Sequence, residues 1–192
     1  MPKQTPSQTV GPFFHLGLTR EDAGDLTHAE TEGARIRIEG RVLDGNGDPV
    51  PDAMLEIWQA NTHGRYRHPD DDRDDIPLDA AFVGYGRVGT NADGRYAFDT
   101  IKPGRVPAPD GGWQAPHINL VVFARGMLIH SNTRIYFSDE PTNDDDPVLS
   151  HLVAEERRPT LIAQRDDASV DPALYQFDVA LQGERETVFF EA

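Results

Sequence analysis

The 192-residue chain contains no cysteine. A disulfide framework, a thiolate zinc site and a cysteine nucleophile are therefore excluded, which leaves histidine, carboxylate and tyrosine as possible metal-holding side chains. Basic residues are scarce too: 18 Lys and Arg stand against 33 Asp and Glu, a formal charge of -15 at pH 7. Such an excess repels phosphate backbones and anionic lipid, and argues against nucleic-acid or membrane-surface binding. No run approaches the roughly 18 apolar residues of a membrane span. The opening MPKQTPSQTVGPFF lacks a charged start followed by an apolar stretch. An acidic cytoplasmic protein is the expectation. At this length one domain is the default, large enough to bury a core without staples.

Familiar signatures are missing or fail on context. Neither G-x-S-x-G nor H-E-x-x-H occurs. GYGRVG, Gly84 to Gly89, matches G-x-G-x-x-G in letters, but the pyrophosphate it would cradle needs a helix N-terminus next, and TNADG follows instead. DGNGD, Asp44 to Asp48, starts like a calcium loop. Pro49 then stands where the invariant glycine belongs and Leu55 where the bidentate glutamate belongs, so a hairpin turn is the better reading.

What is present is period-two alternation of apolar residues, punctuated by turn residues, from about residue 35 onward. Strands are expected at Ala34 to Leu43, Ala53 to Ala60, Arg95 to Ile101, His117 to Ala124, Thr133 to Phe137 and Ala173 to Leu181. In the last of these Tyr175, Phe177, Val179 and Leu181 share one face. In QAPHINLVVFARG, His117, Asn119, Val121 and Phe123 fall on one face and Ile118, Leu120 and Val122 on the other. Short strands joined by Pro/Gly turns predict an all-β fold, an antiparallel β-sandwich with little helix. One helix is expected, over Pro147 to Arg158, entered through NDDDP and halted near Pro159. Residues 1–33 show no strand pattern and read as an extended arm, leaving 34–192 as the sandwich domain. The acidic run His68 to Pro77 reads as a solvated loop.

Three segments, NTHGRYRH (Asn61 to His68), IKPGRVPAPDGGW (Ile101 to Trp113) and QAPHIN, together with PSQTVGPFF and TRIYF, resemble the intradiol ring-cleavage dioxygenases over nearly the whole chain. The resemblance implies a β-sandwich that serves O₂-dependent opening of a dihydroxylated aromatic ring between its two hydroxylated carbons. It also implies ferric iron, Fe(3+), held by two tyrosines and two histidines in segments reading G-R-Y, P-G-x-Y-P and H-I-H. Tyrosinate is a hard anionic donor suited to Fe(3+), and imidazole completes the shell without adding charge.

Carried over residue by residue, Tyr66 matches the first tyrosine and His117 the first histidine, whereas Val106 stands at the second tyrosine and Asn119 at the second histidine. Valine offers no lone pair, and a carboxamide is a weak neutral donor. The pattern resembles the iron-free α chain of a two-chain member of the family, with GERETVFF near the C-terminus also fitting. It implies that this chain binds no metal and carries no catalytic residue, that Fe(3+) is bound by a partner β chain, and that the aromatic substrate is 3,4-dihydroxybenzoate. In that picture the arm of residues 1–33 packs on the partner, with Thr9, Gly11 and Pro12 reaching its active site, and Arg125 draws the substrate carboxylate. Read without the resemblance, the arm is simply an ordered strap, Arg125 an exposed arginine, and Tyr66 and His117 structural residues. Arg134 reads as support for the fold or the interface. Two rivals remain open: a self-sufficient intradiol enzyme acting on catechol or hydroxyquinol, and a β-sandwich binding module without enzymatic partner.

Overall fold

The computed structural model describes residues 9, 11, 17–20, 22–109 and 111–191. Its strands are β1 (Arg35–Leu43), β2 (Met54–Trp58), β3 (Tyr85–Gly89), β4 (Arg95–Ile101), β5 (Val106–Pro107), β6 (Trp113–Gln114), β7 (Ile118–Phe123), β8 (Ser131–Phe137), β9 (Ile162–Arg165), β10 (Ala173–Gln176) and β11 (Val179–Ala180). The main sheet runs β11-β1-β10-β9-β8-β7-β2-β3, with β4 on the other side of β1, and the β5–β6 pair stands apart. This sheet curls until it is nearly closed into a barrel-like sandwich, as the alternation predicted. Most pairings are antiparallel; β1 runs parallel to β10 and β11, and β8 parallel to β9.

The core is the inward half of each alternating strand. Ile36, Ile38 and Val42 of β1, Ile118, Leu120 and Val122 of β7, and Tyr175, Phe177 and Val179 meet in one continuous cluster. A smaller cluster of Ala115, Tyr136, Leu149, Val153 and Leu161 packs beneath the site described below. Burial of these side chains drives the fold.

Two expectations are modified by specific contacts. The segment 173–181 is not one strand but two, because the Asp178 carboxylate takes the Arg41 amide at 2.8 Å and so replaces a ladder bond. At the same point β1 carries Gly40, where a Cβ would lie 1.9 Å from the Phe177 carbonyl oxygen; only glycine lets the two backbones meet there. The predicted helix over Pro147 to Arg158 is a π-helical turn, Val148–Leu152, followed by a 3₁₀ turn, Glu155–Leu161. Between them Val153 is extended and buried in the smaller cluster, so packing of one β-branched side chain wins over helical continuity. The arm is partly integrated: Leu26 is buried in the main core, and its amide bonds the Asp99 carbonyl at 2.9 Å.

Both rejected motifs fold as the turn chemistry requires. GYGRVG supplies β3, and in DGNGD the Asp44 carboxylate accepts the Asn46 and Asp48 amides at 2.9 and 3.0 Å.

Candidate functional site

The site is set by sheet register. Trp58 of β2 is paired with Asn119 of β7, which is paired in turn with Arg134 of β8, so an indole, a carboxamide and a guanidinium lie in one row across three strands. Asn119 sits on the half-buried face of β7, opposite the core face. A short step before β7, His117 is buried to 4 % exposure.

Two loops complete the site. In NTHGRY the Asn61 side chain accepts the His63 and Arg65 amides, each at 3.0 Å, and its carbonyl accepts the Gly104 amide at 2.9 Å. These bonds fasten the Tyr66 loop to the loop that leads into β5 and Val106. The Tyr66 ring stacks on Trp58, with centroids 5.7 Å apart and planes 16° apart. The Tyr66 amide donates to Asp71 at 2.8 Å, and Asp71 is clamped by Arg73 through bonds of 2.7 and 2.6 Å. That clamp pulls the Asp71 carboxyl down to about 2. The acidic run is therefore not merely solvated; one of its carboxylates is a structural post of the site.

The result is a cavity of about 500 Å³ whose lining includes Trp58, Tyr66, Val106, His117, Asn119 and Arg134. All four positions carried over from the metal shell thus converge. A larger hollow of about 720 Å³, between the Asp44–Asp48 turn and the Gln182–Arg185 turn, carries no comparable cluster.

Electrostatics in the cavity run against a metal cation. Burial, with the Arg134 guanidinium second, pushes His117 down to about 4, so the ring is neutral; its Nδ1 donates to the Ala115 carbonyl at 2.8 Å. Burial raises Tyr66, keeping the phenol protonated, although Arg134 and a hydrogen bond with Asn119 oppose the shift. Arg134 is fixed by donating from Nη1 to Gln114 Oε1 at 2.7 Å and to the Tyr136 hydroxyl at 3.3 Å. Tyr136 in turn donates to the buried Asp146, which also accepts the amides of Ala115, Val148 and Leu149. The ferric ion implied by the resemblance does not fit this donor set: one phenol, one imidazole, a hydrocarbon and a carboxamide, beside an arginine that is always charged. Among the described residues no group of three or more His, Cys, Asp or Glu side chains could hold a metal ion.

Arg134 is the residue that local spacing missed. The signal was its register opposite Asn119, which requires the β7–β8 hairpin to be drawn.

Two of the positions expected to meet the substrate, Arg125 and Thr9, lie elsewhere, at the tip where β7 turns toward β8. Arg125 is exposed and pairs with Asp52 at 2.9 Å. Next to it the Gly126 amide donates to the Thr9 hydroxyl at 2.9 Å, so the arm and the arginine are joined at one point of the surface. Gly11 is exposed, and Pro12 lies outside the described residues.

A family profile described as Dioxygenase matches residues 10–183. The chain is 46% identical over 201 residues to the protocatechuate 3,4-dioxygenase alpha chain of Burkholderia cepacia, covering 98% of each chain. It is 39% identical to the beta chain from the same organism, covering 92% of this chain and 75% of that one. Among solved structures, the dioxygenase domain of a dioxygenase carbohydrate-binding protein fusion from Streptomyces sp. SirexAA-E superposes with a TM-score of 0.64 at 24% identity, covering 93% of this chain and 99% of that chain, a likeness of fold.

Proposed function

This chain belongs to the intradiol dioxygenase family, and on that premise we propose that it is the α subunit of a protocatechuate 3,4-dioxygenase whose iron is held by a separate β chain. The observation that carries the reading is the conjunction of near full-length similarity to an alpha chain with Val106 and Asn119 at two of the four ligand positions. The reaction is the insertion of both atoms of O₂ into 3,4-dihydroxybenzoate. The bond between the two hydroxylated carbons breaks and each carbon becomes a carboxylate, giving 3-carboxy-cis,cis-muconate.

Ferric iron supplies the oxygen chemistry from the β chain. This chain contributes no donor to it and acts through its surface. Thr9, Gly11 and Pro12 line the partner's pocket, and Arg125 holds or attracts the carboxylate of the substrate. The joining of Thr9 to the Arg125 turn supports this, since one hydrogen bond holds Thr9 against the backbone next to Arg125. Among the described residues no helix is long and apolar enough to cross a membrane, which accords with the cytoplasmic location we propose.

Co-expression with a β chain of protocatechuate 3,4-dioxygenase is the test. The two chains should co-elute on size exclusion, with iron in proportion to β and cleavage of 3,4-dihydroxybenzoate. The isolated chain should be colourless and inactive. An isolated chain holding about one iron, with tyrosinate colour and cleavage of catechols, would overturn the reading in favour of a self-sufficient enzyme. Separate elution of the two chains would favour a binding module.

A further inference from the structure

The cavity around Arg134 has a feature that a merely vacated metal site does not need. Its guanidinium spends Nη1 on two neutral oxygens, those of Gln114 and Tyr136, and among the described residues Nε and Nη2 have no protein acceptor. Both of these acceptors are uncharged, although the chain carries 33 Asp and Glu. An arginine held rigidly by neutral partners, with half its fork unused, is a preorganised receptor for a carboxylate.

The walls specify the rest of the ligand. The Trp58–Tyr66 stack is flanked by His68, edge-on to Trp58 at 6.4 Å and 86°. An aromatic ring gains both contact area and favourable quadrupole geometry against such a surface. Asn119 and the protonated Tyr66 phenol offer hydrogen bonds for a ring substituent. At about 500 Å³ the space suits a small molecule. The lining's charges set the valence. Arg73 is consumed by Asp71, whereas Arg134 is held by uncharged acceptors; Asp70 and Asp72 lie along the same lining, so a ligand with one carboxylate suits the site better than one with two. We propose that this cavity is a binding site for a small aromatic monocarboxylate, with Arg134 gripping the carboxylate and the Trp58–Tyr66 wall packing the ring. No reaction takes place there. The site is separate from the Arg125 turn, so the inference goes beyond the catalytic partnership proposed above.

The test is calorimetry on the full-length chain, free of any β chain, with 4-hydroxybenzoate, compared with the neutral isostere 4-hydroxybenzyl alcohol. Saturable binding of one acid per chain is expected, at least tenfold tighter than the alcohol. Arg134→Gln should weaken the acid at least tenfold and leave the alcohol unchanged, with the urea midpoint of the variant recorded alongside. Absence of saturable acid binding, or equal affinity for acid and alcohol, overturns the proposal even if the Arg134 variant fails to fold. Unchanged acid affinity in a folded Arg134→Gln chain overturns it as well. None of these results bears on whether the co-expressed pair cleaves rings, so the two readings fail separately.

Discussion

His117 shows how one residue changes its work when its neighbours change. Burial, with the Arg134 guanidinium second, favours the neutral imidazole, and its pKa falls to about 4. In the unfolded chain the same ring titrates near its ordinary value of about 6.5. Between those values the unfolded state binds the extra proton, so the contribution of His117 to stability is fully present above about pH 6.5. It is lost as the pH falls through the folded value. The swing amounts to about 3 kcal/mol as an order of magnitude. Urea unfolding of the wild-type chain at pH 7 and pH 4.5 should show this loss, and His117→Gln should reduce the difference between the two pH values. A variant with the same pH slope as wild type would show that the ring is not buried neutral. His117 and Tyr66 were legible as a pair, and Val106 and Asn119 as departures, because each sits in a short segment whose spacing can be read directly. Arg134 was not, because its meaning lies in a cross-strand partner rather than in its own neighbours.

Among the elements, strands were readable and irregular segments were not. β4 begins and ends where alternation placed it, and the burial pattern of β7 is the alternation itself. The predicted helix failed since a buried, extended Val153 divides the segment, an effect that helical periodicity alone does not show. The site depends on a different kind of element, the meeting of two loops. Gly64 has φ +83°, and a Cβ there would stand 1.9 Å from the Arg105 carbonyl oxygen, so the Tyr66 loop and the loop before β5 touch backbone to backbone. Gly111 also has a positive φ, +91°, yet a Cβ there meets nothing within 4 Å. Gly111→Ala therefore carries only the conformational cost, about 1 kcal/mol. Gly64→Ala adds a backbone clash that no rotamer can relieve, for a total of about 3 kcal/mol or more. Chemical denaturation of both variants should separate them clearly. Similar losses would mean that the loops can part without cost and that the cavity is not held by their contact.

At the scale of the molecule the puzzle is charge: a chain at -15 is proposed to help an anionic substrate reach iron in a neighbouring subunit. Long-range fields from this chain oppose that approach, so any help must be local. On the proposed reading the Arg125 turn supplies it, but not freely, because Asp52 already pairs with Arg125 at 2.9 Å, and Arg125 is the more exposed of the two at 67% against 36%. An exposed pair of this kind is weakly held and can yield donors to a substrate carboxylate. The two partners should then act in opposite directions in the co-assembled enzyme. Arg125→Ala removes a charge-assisted contact and should raise KM for 3,4-dihydroxybenzoate about tenfold, with kcat little changed. Asp52→Asn removes the competing carboxylate and should lower KM by about two- to threefold at low ionic strength, a gain that fades as salt screens the surface. Steady-state kinetics at two salt concentrations give both answers. If the two substitutions shift KM in the same direction, the turn acts through assembly rather than through the substrate, and Arg125 leaves the substrate path.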